Sequence, residues 1–417
     1  MNERLLQFIW QHQYFNKDHL LTTTGETVEV LFAGTHNTNQ GPDFTNARIR
    51  INQLQLAGTV ELHLRTSDWQ LHGHTNDVHY KNVILHVVWQ HDGPANETVL
   101  ELKSRVAQSL LNRYAALMQQ QEQIPCSSFI SSVPDLVWLS WKERLIAERI
   151  QQKSQHIYQL LEKTNRHWEE VFWRLIARNF GMPHNTDALE AVAQSVPITL
   201  LAKHKNQIHQ LEALLLGQAG LLEQTFTDDY SVLLQKEYQY LKKKHSLQPI
   251  HFPLHFLRMR PSNFPTLRLA QLAMLVHESS HLFSKVLEAA SIALIKKMLN
   301  VTANDFWHTH YTLQEPSPYK VKNLGEVMVN NLLINTIIPL LFVYAAEHTR
   351  PQVQQKALEW LRQLPKENNR ITRLWQDTQV PHNNALDSQA LLYLKKQYCD
   401  VKRCLECAAG NALLKRN

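Results

Sequence analysis

Disulfide-forming cysteine is scarce in this chain. It has four cysteines in 417 residues, and Cys399, Cys404 and Cys407 lie too close together to cross-link distant loops, so no secreted disulfide framework is expected. Long charge blocks, low-complexity tracts and internal repeats are also missing, which removes the signatures of disorder. The longest apolar stretch, residues 337–346, is cut by Pro339 and falls short of the roughly 20 residues a membrane helix needs. The first ten residues carry no secretory pattern, because their apolar run is short and interrupted by Gln7. Together these absences predict a cytoplasmic protein that does not enter membranes.

The composition, 44% hydrophobic and 19% charged, is that of a globular protein, and the length calls for two or three domains. The formal net charge is +6, unevenly placed. Residues 1–103 hold 7 Lys or Arg against 11 Asp or Glu, net −4, which leaves +10 for the remainder. An acidic segment joined to a basic one fits a metal-binding core beside a phosphate-binding surface.

Apolar spacing places a helix near residues 3–15. Short alternating or β-branched runs at 28–32, 47–51, 56–64, 83–89 and 98–102, each bounded by Gly, Asn or Pro, then predict strands. Ser67-Asp68-Trp69 fits the start of a helical turn between the third and fourth. Within that order, Gly41-Pro42-Asp43 opens the second strand and Glu61-Leu62-His63 lies inside the third. Residues two apart in a strand share a face, so Glu61 and His63 point together while Leu62 and Leu64 point into the core. Hard divalent ions take carboxylate oxygens and keep waters that can be activated, which assigns Mg²⁺ or Mn²⁺ to Asp43 and Glu61. His63 would position or deprotonate the attacking water.

This pattern resembles the PD-(D/E)XK nuclease superfamily, with Pro42-Asp43 as its first element, Glu61 as its second, and His63 where lysine is usual. The resemblance implies a restriction-endonuclease-like sheet and phosphodiester hydrolysis. Glu101-Leu102-Lys103 contains a literal Glu-x-Lys and is the lesser candidate for the second element.

Nine of the 23 histidines precede residue 104. His72, His74, Asp77 and His79 are expected to line the mouth of the Asp43, Glu61 and His63 site, with Trp69 and Tyr80 as stacking surfaces. His72-Gly73-His74 with Asp77 and His79 also resembles, with shifted spacing, the His-x-His-x-Asp-His of metallo-β-lactamase-type hydrolases, which implies a zinc hydrolase as a further alternative.

Beyond residue 137 apolar residues recur every three or four positions, at 141–161, 168–180, 208–222, 230–243 and 267–276, interrupted by proline. The expected architecture is α+β: a small mixed sheet with flanking helices at 1–103, a bridging helix and linker at 104–136, and an all-α domain at 137–417. Within the helical part, Arg258, Arg260 and Arg268 surround rigid proline turns, and Lys242 and Lys243 add charge, so these residues are the candidates for nucleic-acid binding. Cys399, Cys404 and Cys407 suit zinc or an iron–sulfur cluster, with Cys126 or a histidine as fourth ligand, or remain free thiols.

Taken whole, runs such as Gly41-Pro42-Asp43-Phe44, Gly58-Thr59-Val60-Glu61-Leu62-His63, Arg178-Asn179-Phe180-Gly181, Arg260-Pro261-Ser262-Asn263-Phe264-Pro265 and Arg403-Cys404-Leu405-Glu406-Cys407 resemble an uncharacterised bacterial family, domain of unknown function number 2851. That resemblance implies no activity. The expected function is a divalent-metal-dependent nuclease on DNA or RNA, with a non-catalytic nucleic-acid- or protein-binding scaffold of the same fold as the alternative.

Overall fold

A computed structural model describes residues 1–250, 252–279 and 281–415. The chain is α+β, with a mixed sheet near its start and helices thereafter, and it divides into two units. One comprises Met1–Glu143, Asn369–Pro381 and Leu391–Asn417; the other comprises Arg144–Asn368 and His382–Ala390. These limits differ from the expected 1–103, 104–136 and 137–417, because the C-terminal segments count with the sheet. Leu414 belongs to the core under the sheet, Arg113 donates to the Leu414 carbonyl at 3.2 Å, and Tyr14 donates to Asn411 at 2.7 Å.

Helix α1, Glu3–His12, starts where the Asn2 side chain accepts from the Leu5 N–H, and it stops three residues before the expected end. Gln13 takes the left-handed conformation and returns its N–H to Ile9 and Trp10, closing the last turn. Its buried face, Leu5, Leu6, Phe8, Ile9 and Trp10, packs beneath the sheet.

The strands are β1 (Val28–Phe32), β2 (Thr35–His36), β3 (Phe44–Ile51), β4 (Leu54–Arg65), β5 (Val83–Gln90) and β6 (Val99–Glu101). They lie in the order β1-β3-β4-β5-β6, with β2 on the edge of β3. β1, β3 and β4 are antiparallel neighbours, whereas β5 runs parallel to β4 and β6 parallel to β5. The parallel step needs a crossover, which is supplied by helix α2 (Asp68–Leu71) and two 3₁₀ turns, His74–Asn76 and Val78–Tyr80. β3 begins three residues earlier than its alternation predicts, because a register shift between Phe44 and Ala47 and the positive φ of 58° at Asn46 form a bulge that the periodicity hides. Gly58 allows β5 to approach: a Cβ there would meet Ile84 and the Asn82 carbonyl within 2.6 Å.

β4 is the central strand. Val60 and Leu62 face α1 in the main core, and Glu61 and His63 are buried on the opposite face. β5 repeats the division, with Leu85 and Val87 in that core. Helix α3, Gln108–Gln119, follows the sheet.

The second unit is helical, as the 3.6-residue spacing predicts. Trp168–Phe180, Ile208–Gln218, Asp229–His245 and Pro265–Glu278 are helices there, the last starting with Pro265 at its first position, where the missing N–H costs nothing. One expectation fails. Residues 337–346 are part of a continuous 22-residue helix, Glu326–Glu347, that runs through Pro339. A π-helical turn at Leu333–Ile337 precedes the proline. The carbonyls it loosens are met by side chains: Lys153 reaches the Ile334 carbonyl at 3.3 Å and Asn179 the Asn335 carbonyl at 3.4 Å, which removes the usual penalty of an interior proline. This helix is long and apolar enough to cross a membrane, but 67% of its most apolar window is buried within the protein.

Candidate metal centre

The site grows from the side of β4 that faces α2 and the 3₁₀ turns. Asp43 arrives on a turn whose Gly41 has φ 103°, a value that glycine tolerates. Asn37 ties the turn down by donating to the Pro42 carbonyl at 3.0 Å. Asp43 and Glu61 brace one another through the backbone. The Asp43 N–H donates to Glu61 Oε2 at 2.9 Å, and the Leu62 N–H donates to Asp43 Oδ2 at 3.1 Å. Gln7, from α1, donates to Asp43 Oδ1 at 2.8 Å.

The second oxygen of Glu61 points at imidazoles. Oε1 lies 3.5 Å from His63 Nε2 and 3.6 Å from His74 Nε2. His63 Nε2 is also 3.0 Å from His72 Nδ1, and His63 Nδ1 is 2.9 Å from His86 Nε2. One ring nitrogen from each of His63, His72 and His74 lies within 4.8 Å of the others. Aromatic rings close the surroundings: Tyr80 stacks on His74 with centroids 3.8 Å apart, and Trp69 packs edge-on to both His63 and His74. His63 is 1% exposed, whereas His72 is exposed, so the cluster opens to solvent on the His72 side.

Burial dominates the electrostatics. It lowers His63 to about 3, helped by the neighbouring imidazoles His86, His72 and His74, and lowers His86 to about 4. It also lowers His74, with His72 adding to the effect. In the acids it works the other way: burial, then Asp43, raises Glu61 to about 8, and burial raises Asp43 to about 6 against the Leu62 hydrogen bond. Neutral imidazoles offer lone pairs, and acids that resist ionisation unaided are relieved by a nearby cation.

The donor set fits a transition metal. Ligands about 2.0–2.1 Å from a tetrahedral zinc stand about 3.3–3.4 Å apart, close to the observed separations of 3.0, 3.5 and 3.6 Å. The His74 Nε2 atom is buried without a hydrogen-bond partner, as a nitrogen aimed at an ion would be. Three imidazoles and one carboxylate suit zinc, iron or manganese better than magnesium, which prefers oxygen. If His63 Nε2 presents a lone pair, Nδ1 carries the proton and donates it to His86, which fixes the ring.

Of the residues the sequence nominated, the structure gathers Asp43, Glu61, His63, His72 and His74. Asp77 accepts from the His79 N–H at 2.9 Å and caps the second 3₁₀ turn; His79 stands beside Gly41, and neither joins the three-imidazole group. The Glu-x-Lys of β6 stays apart, with Lys103 donating to Gln90 at 3.0 Å. Arg258, Arg260, Arg268, Lys242 and Lys243 belong to the helical unit. Lys242 and Lys243 sit in the last turn of their helix, where cations offset the dipole. Arg258 and Arg260 are exposed, and Arg268 is buried. Gln7, 36 residues from its partner, left no mark in the spacing of the motif, and the role of His86 left only its period-two match with the buried face of β5.

Compared with known proteins, residues 3–370 match the model of a family described as a protein of unknown function, DUF2851. No curated protein and no solved structure matches the chain.

Proposed function

The chain belongs to the DUF2851 family, and from that premise, which brings no activity with it, we propose a divalent-metal-dependent nuclease whose cation is held by His63, His72, His74 and Glu61. The observation that carries the reading is the convergence of three imidazole nitrogens within 4.8 Å, with one buried carboxylate oxygen 3.5 and 3.6 Å from two of them. Phosphodiesters are favoured by topology. A helix, an antiparallel run of β1, β3 and β4, helical turns and a parallel β5 follow in order, an order that supports reading Asp43 and Glu61 as PD-(D/E)XK-like elements. The +10 excess beyond residue 103 adds attraction for a polyanion.

A bound cation would polarise a phosphoryl oxygen and lower the pKa of a coordinated water. The residues of the chain prepare for it. Burial keeps His63 and His74 neutral, His86 orients His63, and the Asp43 N–H holds Glu61 so that Oε1 faces inward. His63 has both nitrogens engaged and is out of contact with solvent, which suits a ligand more than a base. His72 and the Tyr80 wall mark the open side, where a scissile phosphate would approach. A zinc hydrolase of small molecules would use the same ligands and differ in substrate alone.

Protein loaded with Mn²⁺ or Zn²⁺ is expected to cut at least one of single-stranded DNA, duplex DNA, mismatched duplex or RNA, and His63→Ala, His74→Ala and Glu61→Gln to lose at least about 100-fold in rate. Intact substrates throughout, or variants as active as the parent, would sink the nuclease. One observation favours a second reading, the non-catalytic scaffold: His86, His63 and His72 can close a chain of hydrogen bonds with no cation. Salt-dependent nucleic-acid binding without metal-dependent cleavage selects that reading.

A further inference from the structure

The helical unit contains a cavity of about 640 Å³ lined by Arg260, Arg268, Lys320 and Lys322 and by the first residues of the helix Glu326–Glu347. Lys322 is 4% exposed, and its Nζ has no hydrogen-bond partner; it lies 3.5 Å from the centroid of the Tyr311 ring. The segment cannot easily turn this ammonium outward. Gln271 donates to the backbone carbonyls of Lys322 and Asn323 at 3.3 and 3.2 Å, and the Ala303 N–H donates to the Lys322 carbonyl at 3.0 Å.

Arg268 is 7% exposed. It donates to Asn263 at 2.7 Å and Gln271 at 3.0 Å, both neutral, and its Nε is buried without a partner. Burial alone lowers it to about 10, with no carboxylate opposing. The acid on the lining, Glu326, is exposed and pairs with Lys296 at 3.6 Å. Gly325 begins the helix without a side-chain cap, so the first-turn N–H groups face the same cavity with the positive end of the dipole. Burying an ammonium without a counter-charge costs several kcal/mol, and here two cations and an uncapped helix start share one space.

We propose that this cavity binds the phosphate group of a nucleotide-sized phosphate ester, seated among Lys322, Arg268 and the first-turn amides, with Arg260 and Lys320 at the rim. A tetrahedral oxyanion takes donors from several directions, and the volume lies in the range that holds a whole small ligand. The proposal is independent of the metal centre. It is tested on the full-length protein by calorimetry and thermal shift with inorganic phosphate, a nucleoside monophosphate and a short single-stranded oligonucleotide. Phosphate and the monophosphate are expected to raise Tm. Lys322→Met is expected to weaken binding at least about tenfold and, in phosphate-free buffer, to melt above the parent, because a stranded charge has gone; a merely structural lysine would give the opposite shift. The exposed pair Arg260→Ala and Lys320→Ala supplies variants that leave the fold intact and should weaken the monophosphate. Tighter binding of the oligonucleotide identifies a nucleic-acid phosphate, and tighter binding of the monophosphate a free nucleotide. No response to any of the three, or Lys322→Met and the rim variants behaving as the parent, overturns the site.

Discussion

Two glutamates buried in this molecule, Glu61 in the sheet unit and Glu212 in the helical unit, face opposite surroundings. Glu212 is fully buried and answered by donors: Trp307 Nε1 reaches Oε1 at 3.1 Å and the Tyr230 hydroxyl reaches Oε2 at 2.9 Å. Burial raises it to about 7 against those hydrogen bonds. Glu61 has one fixed donor, the Asp43 N–H, and otherwise meets another acid and the imidazole nitrogens of His63 and His74 at 3.5 and 3.6 Å. The first is a closed polar network that stabilises a core. The second is short of positive charge, and a cation there, as proposed, would complete it. Burial alone therefore does not mark a functional acid; what surrounds its second oxygen does.

The comparison can be broken in order of effect. His63→Ala and His74→Ala should each weaken Zn²⁺ or Mn²⁺ binding by at least about 100-fold in calorimetry, while Glu212→Gln leaves it unchanged; equal losses from the two units would erase the contrast. Next, Glu212→Ala should cost roughly 4 kcal/mol in chemical denaturation, since it leaves a cavity and two unmatched buried donors. Glu61→Gln in metal-free protein should cost less than about 1 kcal/mol, because it removes a carboxylate that has few donors to lose.

The third test is pH. The Glu212 carboxyl titrates near 4.5 unfolded and about 7 folded, so between these values the folded chain holds the extra proton and stability falls as pH rises. The contribution is complete below pH 4.5, is lost through pH 7 and amounts to about 3 kcal/mol. Denaturation of the parent and of Glu212→Gln at pH 5 and pH 8 should differ by that amount; parallel profiles would show that the acid is not held neutral. Smallest of all, Lys103→Ala should change neither metal binding nor stability by more than about 0.5 kcal/mol, since the β6 Glu-x-Lys stands outside the site.

Much of the sheet was legible, because alternation along β3, β4 and β5 records which face each residue buries. That Glu61 and His63 share a face was legible for the same reason: the period of a strand fixes the face of residues two apart. The β3 bulge was not, since one extra residue shifts the phase without leaving a mark in composition. The helix through Pro339 was misread because its tolerance depends on Lys153 and Asn179, far away in sequence. Lys322 reads as a solvated loop lysine until Gln271 is seen holding its backbone inside.

Local periodicity, turn residues and charge balance by themselves determined the α+β division, the strand grammar of the first hundred residues and the nomination of the carboxylate and histidine pair. Those features act over a few residues, through backbone geometry and the preference of apolar side chains for burial. Only the tertiary structure decided which oxygen of Glu61 is left facing imidazoles, that His72 and His74 join His63, and that Arg268 and Lys322 are buried around one cavity. Such matters depend on what fills the space opposite a side chain, and that neighbour comes from elsewhere in the chain.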